Sequence, residues 1–130
     1  MRIAVHHPRI EPERLVEPDT PCEGAMICYV SIFEDDGLYR MYMMNWGNVN
    51  QGWDDGRRGR LYDYMVVYAE STDGINWTKP NVGAVSWNGS TDNNVVYAGH
   101  GAPAFKDPSA PPDQRYKLVY RGTENGEATV

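Results

Sequence analysis

Two passages of this chain repeat one another. Asp36-Gly37-Leu38-Tyr39-Arg40-Met41-Tyr42-Met43 is echoed by Asp113-Gln114-Arg115-Tyr116-Lys117-Leu118-Val119-Tyr120. In each, a polar turn leads into Tyr, a basic residue, a Met or Leu, and an apolar-aromatic run. Each is also preceded by a short apolar segment, 25–33 in the first case and 102–105 in the second. A repeated strand-turn-strand unit cannot bury its apolar face alone, so such units stack on their neighbours. Tyr39 and Tyr116 are 77 positions apart (116 − 39), so 130 residues hold one full repeat and part of a second. The expectation is that residues outside this chain complete the fold and its chemistry.

The rest of the chain reads as strands and turns. Residues 1–23 are rich in proline and charge and predict an extended strap. Residues 24–33 predict a first strand, and Glu34-Asp35-Asp36-Gly37 a tight hairpin turn, because Asp-Gly accepts the positive φ values of a type I′ connection. A second strand follows over 38–45. Residues 48–60, rich in Gly, Asp and Arg, are too long for a tight turn and read as a candidate functional insertion. A third strand is predicted over 61–70 and a turn over 71–77 leading to a fourth. Short strands are predicted near 84–87 and 95–97, before the second repeat begins at 101–105 and returns over 116–121. No helical periodicity of any length is present. Four antiparallel strands followed by a restart predict an all-β chain with the anatomy of a propeller blade. The division expected is a strap over 1–23, blade one over 24–98, and the first half of blade two over 99–130.

Within Tyr68-Ala69-Glu70-Ser71-Thr72-Asp73-Gly74-Ile75-Asn76-Trp77, Ser71 and Asp73 are the short polar side chains that bond turn amides. Trp77 is then expected to plug the space between adjacent sheets, so the segment is given a structural role. It resembles a shortened Asp-box, the blade-tip turn of sialidase-like propellers. Together with Lys79-Pro80-Asn81, Asn88-Gly89-Ser90, Asp92-Asn93-Asn94 and Phe105-Lys106-Asp107-Pro108, it resembles the five-bladed propellers of the glycoside hydrolase 32/43 superfamily, the invertase-, levansucrase- and arabinanase-like proteins. The likeness is best over 24–122.

That resemblance implies hydrolysis of O-glycosidic bonds by inward-facing acids, one protonating the leaving oxygen and another, ionised, attacking the sugar or activating water. Phe105-Lys106-Asp107-Pro108 is similar to the family's Phe-Arg-Asp-Pro, with Lys in place of Arg, which makes Asp107 a candidate catalytic residue; the competing reading is a turn cap. Glu23, just before the first strand, is the candidate nucleophile or base, with Asp19 as its rival and a solvated strand-end acid as the alternative. The general acid of the third blade falls outside the chain, so these 130 residues are expected to be inactive alone. A non-catalytic carbohydrate-binding propeller and a self-assembling structural module are the other readings.

Nine Tyr and four Trp against two Phe favour half-wet surfaces and strands. Trp46 and Trp53 flank the insertion, and with His100 they are the candidate sugar-binding side chains; edge packing is the competing role for the tryptophans. A net charge of −6, with no basic run longer than Arg57-Arg58, argues against nucleic acid. No apolar stretch nears the ~20 residues that span a bilayer, and the first residues lack a signal-peptide core, which predicts a cytoplasmic chain if the start is genuine. Cys22 and Cys28 on an extended segment stand roughly 20 Å apart, too far for a disulfide. They predict two thiols, Cys28 the buried one, with no metal site and no cofactor. The partners expected are a carbohydrate ligand and either further blades or copies of the chain to close a ring.

Overall fold

A computed structural model describes residues 7–10, 15–24, 26–46, 64–124 and 127–129. These residues are all-β, with no α-helix among them. The strands are β1 (Met26–Asp35), β2 (Leu38–Trp46), β3 (Tyr64–Ser71), β4 (Val95–Ala98), β5 (Gly101–Lys106), β6 (Tyr116–Tyr120), β7 (Gly122–Glu124) and β8 (Glu127–Thr129). The first four form one antiparallel sheet in chain order; β5 pairs with β6, and β7 with β8.

Local chemistry explains the first hairpin. Asp36 (φ 55) and Gly37 (φ 80) both take positive φ, the signature of a two-residue type I′ turn, and the Glu34 side chain accepts the Gly37 N–H at 2.6 Å. The turn is therefore tighter than expected, and β1 runs on to Asp35. Asn88 and Gly89 repeat the same positive pair, yet only an isolated Trp87–Ser90 bridge forms there in place of the predicted strand. Likewise the segment after the Ser71 turn contributes a single Glu70–Thr78 bridge, so the fourth strand is β4.

Period-two alternation sends the side chains of the large sheet to two faces. Met41, Met43, Met65, Val67, Ala69 and Val95 form the core with Cys22, and Trp77, Val85 and Trp87 pack against them. That face is covered by the strap and the 77–94 loop. Cys22, not Cys28, is the fully buried thiol, because the strap folds back over the sheet; burial pushes both thiols up.

The opposite face carries Phe33, Arg40, Tyr42 and Tyr68, and against it packs the β5–β6 hairpin. The echo seen in the sequence is a structural one. Phe33 pairs with Arg40 and Glu34 with Tyr39 in the first hairpin; Phe105 pairs with Lys117 and Lys106 with Tyr116 in the second. The second turn absorbs the extra residues with a 3-10 turn at Pro112–Gln114.

Candidate functional site

The Ser71–Trp77 segment folds as its residue types predict. Ser71 Oγ accepts the N–H groups of Asp73 (3.2 Å) and Gly74 (2.9 Å), and Asp73 Oδ1 accepts those of Ile75 (2.8 Å) and Asn76 (2.7 Å). These donors hold the Asp73 carboxyl far below the usual range. Gly74 (φ 74) sits under the Tyr39 ring, and Trp77 Nε1 donates to its carbonyl at 3.2 Å. Trp77 packs against the strap-covered core face of the large sheet, not between two sheets.

Glu23 is buried to 5% of its surface, and its side chain is wholly enclosed. Oε2 accepts Lys79 Nζ at 2.6 Å and the backbone N–H groups of Asp19 (3.0 Å) and Thr20 (3.3 Å); Oε1 accepts Asn94 Nδ2 at 3.1 Å. Lys79 also donates to the Asp19 carboxylate and the Glu17 carbonyl, both at 2.5 Å. Three donors thus converge on Oε2 and one reaches Oε1, so both oxygens of the enclosed carboxylate are engaged. The residue ties the strap to the 77–94 loop, and its enclosed side chain is not a solvated strand-end acid. Asp19, its rival, is exposed, and the Lys79 hydrogen bond lowers its carboxyl.

Asp107 lies on the other side of the large sheet, at the end of β5. Its Oδ1 accepts Ser109 N (3.0 Å) and Ser109 Oγ (2.6 Å), and Lys117 Nζ donates to Oδ2 at 2.8 Å. Lys117, followed by Ser109, holds its carboxyl well below the usual range. The turn-cap reading describes this geometry. Glu23 is held by strap and loop residues, whereas Asp107 is held within the β5–β6 hairpin.

Trp46, Tyr64, His100 and Tyr29 do converge. Trp46 closes β2 and Tyr64 opens β3, and their rings stack at 5.9 Å. The His100 ring meets the edge of Tyr64 at 4.8 Å and lies 6.1 Å from Tyr29. Two glycines place His100. A Cβ at Gly99 (φ 151) would meet the Tyr97 ring at 2.8 Å, and one at Gly101 would meet Tyr120 Cβ at 2.7 Å. Tyr29 is turned outward by a register shift between Cys28 and Ser31 and has φ 46, a strained value for an aromatic residue. Tyr29 is 66% exposed and Trp46 42%. Trp53 lies outside the described residues, as does the 48–60 insertion. Sequence reasoning found Trp46 and His100; Tyr64 and Tyr29 were read only as strand formers.

On the strap side, a cleft of ≈ 370 Å³ is lined by Lys79, Asn81, Trp87, Asn88 and Asp92 among others. Among the described residues no group of three or more His, Cys, Asp or Glu is placed to hold a metal ion, and no helix is long and apolar enough to cross a membrane.

A further cluster escaped the sequence reading. Asp35, buried to 3%, accepts Lys106 Nζ and Tyr116 Oη from the second hairpin and Arg40 Nε (3.1 Å) from its own. These donors, Lys106 foremost, bring its carboxyl down to about 2. Arg40 also donates to Tyr68 Oη at 2.8 Å, which donates to Glu70 at 2.9 Å. Burial, with that bond to Glu70, pushes the Tyr68 phenol up to about 12. The Tyr116 ring lies 6.4 Å from Phe33, with the Arg40 guanidinium 5.5 Å from its centre.

No protein-family model matches the chain, and no curated protein and no solved structure matches it either. The likeness to the glycoside hydrolase 32/43 propellers rests on the sequence motifs alone.

Proposed function

We propose that this chain is a carbohydrate-binding β-protein, its large sheet a blade of the propeller type, with the aromatic end as the sugar-contacting surface. The observation that carries the reading is the run of contacts Trp46–Tyr64–His100–Tyr29, partly open to solvent at one end of the sheets. Aromatic faces stack on the C–H faces of sugar rings, while imidazole and phenol groups supply hydrogen bonds to hydroxyls. Backbone strain at Tyr29 falls within this cluster, and strain of that kind concentrates at functional sites. The blade reading is supported by the β1-β2-β3-β4 order and by the stacking of a second, echoed hairpin; further blades or copies of the chain would close the ring.

Binding ranks ahead of cleavage because the Glu23 side chain is wholly enclosed by donors from the strap and the 77–94 loop, on the other side of the large sheet from Asp107. The test is titration with neutral oligosaccharides, arabinan- and fructan-derived among them, read by tryptophan fluorescence. Trp46→Ala is expected to weaken binding at least tenfold. Failure of every sugar to bind would refute the reading, and loss on Asn88→Ala instead would move the site to the cleft. The hydrolytic reading stands second: turnover of either polysaccharide that disappears in Asp107→Asn would reverse the order.

A further inference from the structure

The two hairpins correspond position by position. Phe33 and Arg40 pair across the first, Phe105 and Lys117 across the second, and two residues after each Phe stands an aspartate, Asp35 and Asp107. Each aspartate is bonded by the basic residue of its own returning strand, Arg40 Nε at 3.1 Å and Lys117 Nζ at 2.8 Å. The hairpins differ in what lies on top. Over the Phe33–Asp35–Arg40 face sits the second hairpin, with Lys106 and Tyr116 reaching Asp35 and the Tyr116 ring lying against Phe33 and Arg40. The matching face of the second hairpin is partly open to solvent. Phe105 is 45% exposed, Val119 43% and the Lys117 side chain 43%.

We infer that this outer face of β5–β6 docks a third β-hairpin that carries a Lys or Arg where Lys106 stands and a Tyr where Tyr116 stands. Asp107 is its anchor, as Asp35 is the anchor of the layer before. The occupant is defined by charge. An aspartate backed by one cation recruits a second cation and a phenol donor, and an aromatic ring covers Phe105 and Val119. Three of the roughly four acceptor positions of Asp107 are filled from its own hairpin, two of them by Ser109, whose hydroxyl would yield to the incoming donor. A second copy folded like this one does not meet the requirement. Its second hairpin already spends Lys106 and Tyr116 on its own Asp35, its first hairpin has Glu34 at the Lys106 position, which would repel Asp107, and the face carrying Met41 and Met43 is covered by the strap and loop. Nothing here depends on whether the aromatic end binds sugar.

The natural probe is the chain's own second hairpin, residues 101–121, made as a cyclised peptide and added to the whole protein. Saturable binding is expected, with amide shifts centred on Phe105, Lys117 and Val119. It should weaken at least tenfold with Lys106→Glu in the peptide or Asp107→Asn in the protein, a change that keeps a turn-capping oxygen. Binding indifferent to both substitutions, or shifts centred on Asp35 through exchange with the resident hairpin, would overturn the inference. Should the peptide fail to form a hairpin, the same segment fused after Val130 through a Gly/Ser linker serves instead. Slowed amide exchange in β6 is expected there, abolished by Lys106→Glu in the appended copy, and unaltered β6 exchange counts against the docking face.

Discussion

Replacing Glu23 separates a structural anchor from a catalytic acid. Its carboxylate is wholly enclosed, and removing it leaves Lys79 (side chain 11% exposed) with a charge only partly matched. Breaking a buried ion pair from one side costs about 3–5 kcal/mol. Lys79 keeps Asp19 and the Glu17 carbonyl, and Asn94 keeps the Tyr68 carbonyl at 3.0 Å, so the lower end applies. Glu23→Gln should therefore destabilise the protein by about 3 kcal/mol, a loss of about 10 °C in Tm for a domain of this size. Urea denaturation monitored by tryptophan fluorescence reads the change. Adding Lys79→Met should recover much of it, since an apolar pair can replace a buried ionic one with little loss. A catalytic acid behaves oppositely, its isosteric amide abolishing turnover while stability holds. A Glu23→Gln protein within about 1 kcal/mol of the parent, or no recovery in the double variant, would refute the assignment.

Acid should loosen the clamp between the two hairpins. The Asp35 carboxyl titrates near 2 when folded against an ordinary 3.8, so its contribution is present above 3.8 and is lost as pH falls through about 2; Tm against pH should be steeper over that window than in a Lys106→Met variant. Trp77→Phe and Trp87→Phe remove the same atoms, but only the Trp77 indole N–H has a partner while that of Trp87 is buried without one among the described residues. Trp77→Phe should then cost about 1 kcal/mol more, measured by paired denaturation curves. Met43→Ala should destabilise by about 2–5 kcal/mol, because Met43 is 1% exposed in the core beneath the strap; calorimetry checks it.

Turns and alternation were legible in the sequence because each depends on residues a few positions apart. Asp36-Gly37 could be read from the two positive φ values it accepts, and Ser71, Asp73 and Trp77 from the hydrogen bonds short side chains make to nearby amides. The candidate site was half legible: Trp46 and His100 stood out as large side chains beside loops, whereas the outward turn of Tyr29 comes from a bulge that leaves no mark in the alternation. Asp35 was read as a turn residue because three acidic residues run together before Gly37, yet in the structure it ends β1 and faces the next layer.

By itself, the order of residues determined an all-β chain of echoed hairpins and the chemistry of their turns. Only the tertiary structure decided what each carboxylate does. Glu23 finds Lys79 at a separation of 56 residues, and Asp35 finds Lys106 and Tyr116 at 71 and 81. Such pairings are set by how the strap and the second hairpin lie across the sheet. A carboxylate's role follows from the donors that reach it and the water it loses, and neither is written in its neighbours along the chain.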